Sequence, residues 1–313
     1  MFLRAQLSAR GTSRALLARR HAPSAAPCHT DVRPAACFSR HALPSRLCNC
    51  FSHVGVDPLA EFNLGTWTPI IAYLVSAVGS GLGLLCTERA RIVTGLARRG
   101  WLVLGAISIG GTGIWVMHFT AMLGMTMTGT SIGYNLPITL LSMLVAVVVA
   151  GIGLFVVNNG GSRIRPLLVG GLFTGVGVAG MHYVGIAAMD VQGTEHFNLG
   201  IVALSVIIAV VAATAALWAT VTVRGTRAIV AAALVMGLAV TGMHYTGIAS
   251  MSVELDSSKP IASGISASVL IPLVIMGVAV VSVMTVFILA LSPGARELRE
   301  EAELRDWASH HAQ

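Results

Sequence analysis

Three copies of one short motif carry the side chains of this chain that are best suited to chemistry. They are Met117-His118-Phe119-Thr120, Met181-His182-Tyr183-Val184 and Met243-His244-Tyr245-Thr246, at spacings of 64 and 62 residues. A further methionine follows eight positions after each first one, at Met125, Met189 and Met251. Each histidine stands inside a long apolar segment, where an ionisable side chain is by default a candidate functional residue.

The ligand types in these motifs favour a soft metal ion. Imidazole and thioether groups occur without any thiolate or carboxylate at the same depth, and thioethers select monovalent copper over zinc, magnesium or calcium. A histidine and the later methionine of its own helix stand roughly 10 Å apart along the axis, so a site has to be assembled across helices. The predicted metal ligands are Met117, His118, Met181, His182, Met243 and His244, with Met125, Met189 and Met251 as a second layer.

The same residues allow other interpretations. The histidines could form a structural network of hydrogen bonds between helices, without metal. The methionines could simply fill the core, as flexible apolar side chains do. The histidine layer could also conduct copper ions or protons, or two histidines could hold a haem. An enzyme is not expected, because no carboxylate, nucleophile or activated base accompanies the histidines within the membrane.

The segments that position these motifs are long and apolar. The chain is 55% apolar and 11% charged, which excludes an ordinary water-soluble domain. Seven stretches reach the ~20 residues needed to cross a bilayer. They lie near 66–86, 101–124, 136–157, 167–190, 199–223, 228–251 and 265–291. The prediction is an all-α, multi-pass protein of the cell membrane, with the lipid bilayer as its main partner.

The distribution of charge predicts the orientation. The loops after the first, third and fifth spans carry arginines, whereas the opposite loops are neutral or acidic. By the positive-inside rule the N-terminus of span one is outside and the C-terminus is cytoplasmic. The net charge of +7 therefore reflects topology and an arginine-rich tail, and no nucleic-acid partner is expected.

The motif spacing predicts internal repeats. The motifs fall on spans two, four and six, which run in one direction, so their histidines share one depth, roughly 9 Å from the outer span ends. The chain thus reads as three two-helix repeats followed by a seventh helix. Gly111, Gly175 and Gly237 precede the motifs by six positions. They could serve helix packing or clear space beside the imidazoles.

The composition also divides the chain into regions. Residues 1–60 form an Arg-, Ser- and Ala-rich tail that resembles an organellar transit peptide, and we expect it to be disordered, cleaved or a misassigned start, with translation beginning near Val54 or Val56. Residues 64–291 form the membrane domain. Residues 292–313 are expected to be a short cytoplasmic tail.

The motifs closely resemble those of the MHYT domain, a membrane-embedded bacterial sensor, over roughly residues 64–291. The resemblance implies copper bound through Met117, His118, Met181, His182, Met243 and His244, and a response to a diatomic gas or to redox state. Phe119 and Val184 depart from the Tyr and Thr of the pattern, and neither replaces a proposed ligand. Many family members continue into a cyclic-dinucleotide synthesis or degradation domain, whereas 22 residues follow span seven here. We therefore expect a stand-alone sensor that reports to a cytoplasmic or membrane signalling partner.

Overall fold

A computed structural model describes residues 53–54, 67–126, 131–160, 164–256, 258, 263–292 and 307. The described residues contain seven helices that are long and apolar enough to cross a membrane. They are α1 Trp67–Ala90, α2 Gly95–Leu123, α3 Leu136–Gly160, α4 Ile164–Ile186, α5 Leu199–Thr222, α6 Thr226–Ile248 and α7 Ala267–Leu291. The predicted multi-pass membrane architecture with seven helices is confirmed.

Two of the predicted regions fall largely outside the described residues. The N-terminal tail 1–60 is described only at His53–Val54. The C-terminal tail 292–313 is described only at Ser292 and Trp307. The assignments of these tails stay predictions.

Six of the helices pack in sequence order around a ring. Each of α1 to α5 packs against the next helix, and α6 packs back against α1. Helix α5 also reaches α1 and α3 across the ring, while α7 lies outside it against α1 and α2. Helix α2 is the most enclosed, with 78% of its most apolar window buried, against 11% for α5 and for α7. The motif helices α2, α4 and α6 therefore alternate around the ring.

Small residues allow the close helix contacts, as expected in lipid, where association depends on packing of surfaces. A Cβ on Gly79 of α1 would lie 2.3 Å from the backbone nitrogen of Gly113 in α2. A Cβ on Gly171 of α4 would lie 2.0 Å from the hydroxyl of Thr214 in α5. These two glycines are required by the approach of the neighbouring helix.

Helix α2 changes its winding before the first motif. It is π-helical over Ile107–Val116 and returns to α-helix at Met117. The hydroxyl of Ser76 in α1 donates to the carbonyl of Gly113 at 2.7 Å, and the indole nitrogen of Trp115 donates to Ser142 in α3 at 2.9 Å. Wide turns of this kind are often found at functional sites. The winding distinguishes α2 from α4 and α6, which are α-helical throughout.

The helix ends next to the motifs differ from the prediction. Helices α4 and α6 end at Ile186 and Ile248, where spans to residues 190 and 251 were expected. Short strands follow them because the chain turns back on itself there. The strands are β1 His53–Val54, β2 Gly133–Tyr134, β3 Met189–Asp190, β4 Gly193–Phe197, β5 Met251–Leu255 and β6 Ile265–Ser266.

These strands form two small antiparallel sheets at the motif end of the bundle. Their orders are β1-β5-β4 and β3-β2-β6. The hydroxyl of buried Tyr134 in β2 donates to the carbonyl of Met122 at 3.1 Å, beside the backbone nitrogen of Met125, which donates to the same carbonyl at the end of α2. Ser263 donates through its backbone nitrogen to the carboxylate of Asp190 at 2.7 Å. The sheet β3-β2-β6 is thus tied to the helix that carries the first motif.

The opposite end of the bundle carries arginines. A guanidinium nitrogen of Arg91 donates to the carbonyl of Val223 at 2.6 Å, and Arg98 donates to the carbonyl of Asn158. The carboxylate of Glu88 accepts from the backbone nitrogen of Gly225 at 3.1 Å. Basic side chains therefore bind free carbonyls at helix ends on the face away from the motifs.

Candidate metal centre

The three motif histidines meet at one point inside the bundle. The Nδ1 atom of His118 lies 2.9 Å from Nδ1 of His244 and 3.1 Å from Nδ1 of His182. One ring nitrogen from each of the three residues lies within 4.8 Å of the others. All three side chains are buried, with exposed fractions of 1% or less. We call His118, His182 and His244 the histidine cluster.

The cluster is close to threefold symmetric. Its ring centroids are 4.9, 4.9 and 5.1 Å apart, and the rings meet edge to face at 72°, 79° and 90°. Each imidazole also packs against the aromatic ring that follows it in sequence, with centroids 4.9 to 5.0 Å apart. Phe119 occupies this position in α2 as Tyr183 does in α4. Ring packing is therefore the role that all three positions share.

The outward edges of the cluster fit against glycines of the next motif helix. A Cβ on Gly185 of α4 would lie 2.2 Å from Nε2 of His118. A Cβ on Gly247 of α6 would lie 2.1 Å from Nε2 of His182. These two glycines follow their own histidines by three positions, where α2 has the fully buried Ala121. Their importance was missed in the sequence, although a small residue three positions after each histidine was the available signal.

The Nε2 atoms have no hydrogen-bond partner. In His118, His182 and His244 this nitrogen is buried and, within the described residues, no donor or acceptor reaches it. Each neutral imidazole carries one N–H and one lone pair. The cluster therefore directs its hydrogen-bonding capacity inward, toward the convergent Nδ1 atoms.

Acidic side chains lie apart from the cluster. Among the described residues it is the single group of three or more histidine, cysteine or acidic side chains arranged to hold a metal ion, and it contains histidines alone. Glu254 lies 3.7 Å from His196 on the exposed strands. Asp190 accepts from Ser263 in the strand region. Within the described residues the histidine cluster therefore offers imidazole nitrogens and no carboxylate.

All six predicted methionines are buried, with exposed fractions of 7% or less. Met181 and Met243 belong to the main hydrophobic core, while Met117 packs in a small separate cluster with Ala72 and Ala121. These three are sequence neighbours of the histidines, and their role as ligands stays a prediction.

The later methionines do not continue the motif helices. Met125 follows the end of α2 at Leu123, Met189 begins β3 and Met251 begins β5. The expectation that each later methionine lies on the helix of its histidine is wrong, because each helix ends two or three residues before its methionine. The three motif helices therefore do not carry a second layer of methionines. The role of Met125, Met189 and Met251 as metal ligands stays a prediction.

The glycines six positions before the motifs serve helix packing at two of the three sites. A Cβ on Gly175 would lie 2.4 Å from the backbone of Val210, and one on Gly237 would lie 3.0 Å from the backbone of Ala77. A Cβ on Gly111 would make ordinary contact with Val147 at 3.7 Å. Packing is thus favoured over room beside an imidazole.

The fold and the site define a multi-pass helical membrane protein with a buried histidine cluster built from a threefold motif. Comparison with known families gives two tandem matches, over residues 111–170 and 175–233, to MHYT, described as a bacterial signalling protein N-terminal repeat. The chain carries tandem MHYT repeats, and the resemblance predicted from the motifs is confirmed. The third motif copy, at Met243 to Thr246, lies after both matched ranges.

Curated relatives are signalling proteins. The chain is 39% identical over 189 residues to the bifunctional diguanylate cyclase/cyclic di-GMP phosphodiesterase MucR of Pseudomonas aeruginosa, which covers 59% of this chain and 27% of that protein. It is 33% identical over 198 residues to the cyclic di-GMP phosphodiesterase NbdA of the same species, covering 61% and 25%. It is 26% identical over 197 residues to the signaling protein YkoW of Bacillus subtilis, covering 61% and 24%.

The chain thus spans about a quarter of the length of these relatives. No solved structure matches it at a significant level.

Proposed function

We propose that this protein is a membrane sensor domain that holds one monovalent copper ion between His118, His182 and His244 and responds to a diatomic gas or to redox state. The observation that carries the proposal is the convergence of three buried Nδ1 atoms from three helices, at 2.9 and 3.1 Å. The MHYT repeats and the signalling relatives support the sensing role.

Hydrogen bonding alone does not account for the cluster. A neutral imidazole nitrogen offers either one proton or one lone pair, so Nδ1 of His118 can complete one of its two close contacts. The other Nδ1 is left without a bond, and an unsatisfied buried polar group costs roughly 1–3 kcal/mol. A central cation would accept all three lone pairs at once, with the three protons on the Nε2 atoms.

The spacing also fits a metal. The Nδ1 atoms of His118 and its two partners lie 2.9 and 3.1 Å apart, less than twice the length of a nitrogen–metal bond of about 2.0 Å, so one ion could contact all three histidines. The ligand set is neutral, and a monovalent ion in a low-dielectric site leaves less charge uncompensated than a divalent one. When bound, copper would supply a redox-active centre able to take a diatomic ligand. The three histidines would hold it, and the rings of Phe119, Tyr183 and Tyr245 pack against the imidazoles and fix their orientation.

A conduit is less well supported. The space one helical turn from the cluster, on the arginine side, is lined mainly by alanine, valine, isoleucine and leucine side chains. A proton or copper path requires polar groups along its length. Among the described residues, the apolar lining on the arginine side would interrupt such a path.

We infer the membrane orientation and the repeats from the same features. The arginine contacts of Arg91 and Arg98 lie at the end away from the cluster, and the positive-inside rule makes that end cytoplasmic. The histidine cluster then lies four to five residues, roughly 6–8 Å, below the outer ends of α2, α4 and α6. The alternation of motif helices around the ring supports three helix pairs plus α7. Catalysis is not proposed for this chain, and a cytoplasmic or membrane partner would carry the signal onward.

The test is metal content. The full chain, purified in detergent and loaded with reduced copper under anaerobic conditions, is expected to retain one copper per chain by mass spectrometry. The triple variant His118→Ala, His182→Ala, His244→Ala is expected to retain none, while His196→Ala, on an exposed strand, keeps the wild-type content. Copper retained by the folded triple variant contradicts the proposal, and so does a wild-type protein that takes no copper. Visible absorbance distinguishes a haem.

A further inference from the structure

A partly open cavity lies between the ring helices, beneath the histidine cluster. It has a volume of about 50 Å³ and is lined by residues of all six ring helices. Ile114, Val178 and Val240 are on its wall, and each stands four residues before a cluster histidine. Four residues are about one helical turn, roughly 6 Å. The cavity therefore begins beneath the cluster and extends toward the arginine end.

The cavity exists because α5 presents small side chains to it. The α5 side of the wall consists mainly of alanines, together with Leu217 and Thr220. The alanines are Ala209, Ala212, Ala213 and Ala216. Larger residues at these positions would fill the space. The neighbouring Ala215 of the same helix is exposed on the outside of the bundle and is not part of the wall.

The wall offers little to a water molecule. The hydroxyl of Thr174 donates to the carbonyl of Val149 at 3.3 Å, and the hydroxyl of Thr220 donates to the carbonyl of Leu217 at 2.7 Å. Ser80 is the remaining hydroxyl among the described wall residues. A buried water requires two to four polar partners, and apolar cavities stay dry and take xenon or similar apolar guests.

Size limits the guest. The space is several times the roughly 10–15 Å³ that holds one water, and well below the roughly 150 Å³ of a cavity that binds benzene. A xenon atom or a diatomic molecule fits this range, while an aromatic ring does not. Met243 lines the cavity and directly precedes His244 in the sequence. A bound molecule would therefore lie next to Met243, beside the histidine cluster.

We propose that this cavity binds one small apolar molecule, of the class that includes the diatomic gases, directly beneath the histidine cluster. Its part in signalling rests on the proposed function. Binding in the cavity does not depend on copper, so it is tested in metal-free protein. A failure of the cavity proposal is thereby distinguished from a failure of the copper proposal.

The experiment uses xenon as the probe on the full chain in detergent, with 13C-labelled methionine methyl groups. Met236 and Met243 line the cavity, whereas Met284 is exposed on the lipid-facing side of α7. The expected result is a saturable shift of the Met236 and Met243 signals with xenon pressure, while Met284 shows the linear change caused by xenon dissolved in the micelle. Benzene is expected to give no saturable shift at Met236 and Met243.

Two matched variants locate the site. Ala213→Leu fills the cavity and is expected to abolish the saturable shift, and Ala215→Leu adds the same side chain outside and is expected to keep it. Ala216→Leu replaces the first variant if that protein does not fold. A linear response at Met236 and Met243 in the wild-type protein overturns the proposal, and so does a saturable shift that persists in a folded, filled variant.

Discussion

The Nδ1 atoms of His118 and His244 lie 2.9 Å apart, although 126 residues separate the two histidines in sequence. His118 also contacts His182, so it takes part in both close contacts of the cluster. The first motif departs from the Met-His-Tyr-Thr pattern at Phe119, yet it supplies His118, the histidine that both close Nδ1 contacts share.

Single substitutions in the cluster are expected to weaken copper binding. Removal of a group that only orients a ligand costs 10–100-fold in metal affinity, so loss of a ligand such as His118 should cost at least about tenfold. His118→Ala, His182→Ala and His244→Ala are compared with His196→Ala by competition with a chelator of reduced copper. A His118→Ala protein with wild-type affinity would contradict the assignment.

Glycines beside the cluster are expected to be intolerant of a methyl group. Gly185→Ala places a carbon against Nε2 of His118, and Gly247→Ala does so against Nε2 of His182. Forcing extra atoms into a packed core costs about 1–3 kcal/mol and would displace the imidazoles. We expect weaker copper binding and lower thermal stability in both variants.

Gly180 and Gly242 provide the matched controls for this comparison. Each precedes a cluster histidine by two positions, and a Cβ at either meets nothing within 4 Å. Gly180→Ala and Gly242→Ala should therefore keep copper affinity and stability. Equal effects of all four substitutions would mean that the contact with Nε2 is unimportant.

The tyrosine hydroxyl of the second motif is expected to stabilise the fold without binding copper. The Tyr183 and Ser205 hydroxyls lie 2.7 Å apart, linking α4 to α5. Loss of this hydrogen bond in Tyr183→Phe should lower the free energy of unfolding by about 1 kcal/mol. Copper stoichiometry should be unchanged, as Phe119 at the matching position indicates. A double-mutant cycle with Ser205→Ala measures the coupling, and additive effects would exclude it.

Alkaline pH is expected to destabilise the protein through Tyr134. Burial raises the pKa of this phenol above its usual value, so the folded state keeps the proton that the unfolded state loses near pH 10. The stabilising contribution is present below that pH and falls by up to about 1.4 kcal/mol per pH unit above it, until the folded-state pKa is reached.

Tyr134→Phe is expected to reduce this alkaline loss, at a cost of about 1 kcal/mol at neutral pH for the hydrogen bond to Met122. Thermal unfolding between pH 8 and pH 11 makes the comparison, with Tyr73→Phe as a control on α1. The same alkaline slope in wild-type and Tyr134→Phe proteins would contradict the assignment.

Hydropathy and motif spacing were enough to predict the seven helices and the meeting of the three histidines. Nearly equal spacing on alternate spans places His118, His182 and His244 at one depth, and burial of polar side chains then brings them together. The positions of Met189 and Met251 in strands were not predictable in this way, because the apolar sequence continues past the helix ends into the strands. The π-helical turns of Ile107–Val116 were not predictable either, because an almost uniformly apolar segment has no hydrophobic periodicity to mark a change of winding.

The sequence marks Gly185 and Gly247 only as small residues three positions after a histidine, which does not distinguish packing against an imidazole nitrogen from ordinary helix packing. A glycine in a membrane helix usually serves contact between helices, and Gly175 and Gly237 do so. The central cavity is likewise invisible in the sequence, since Ala213 and Ala215 are identical in type and differ only in the direction they face.

The position of the histidines on three different helices also makes the cluster a cross-link. An ion held there would close loops of 64 and 62 residues, joining segments that the chain connects only through intervening helix pairs. Long loops lose the most conformational freedom when they are tied in the unfolded chain, and metal clips that close them gain the most stability in principle. Occupancy of the site would then be readable as the melting temperature of the whole bundle, and release of the ion would loosen α2, α4 and α6 together.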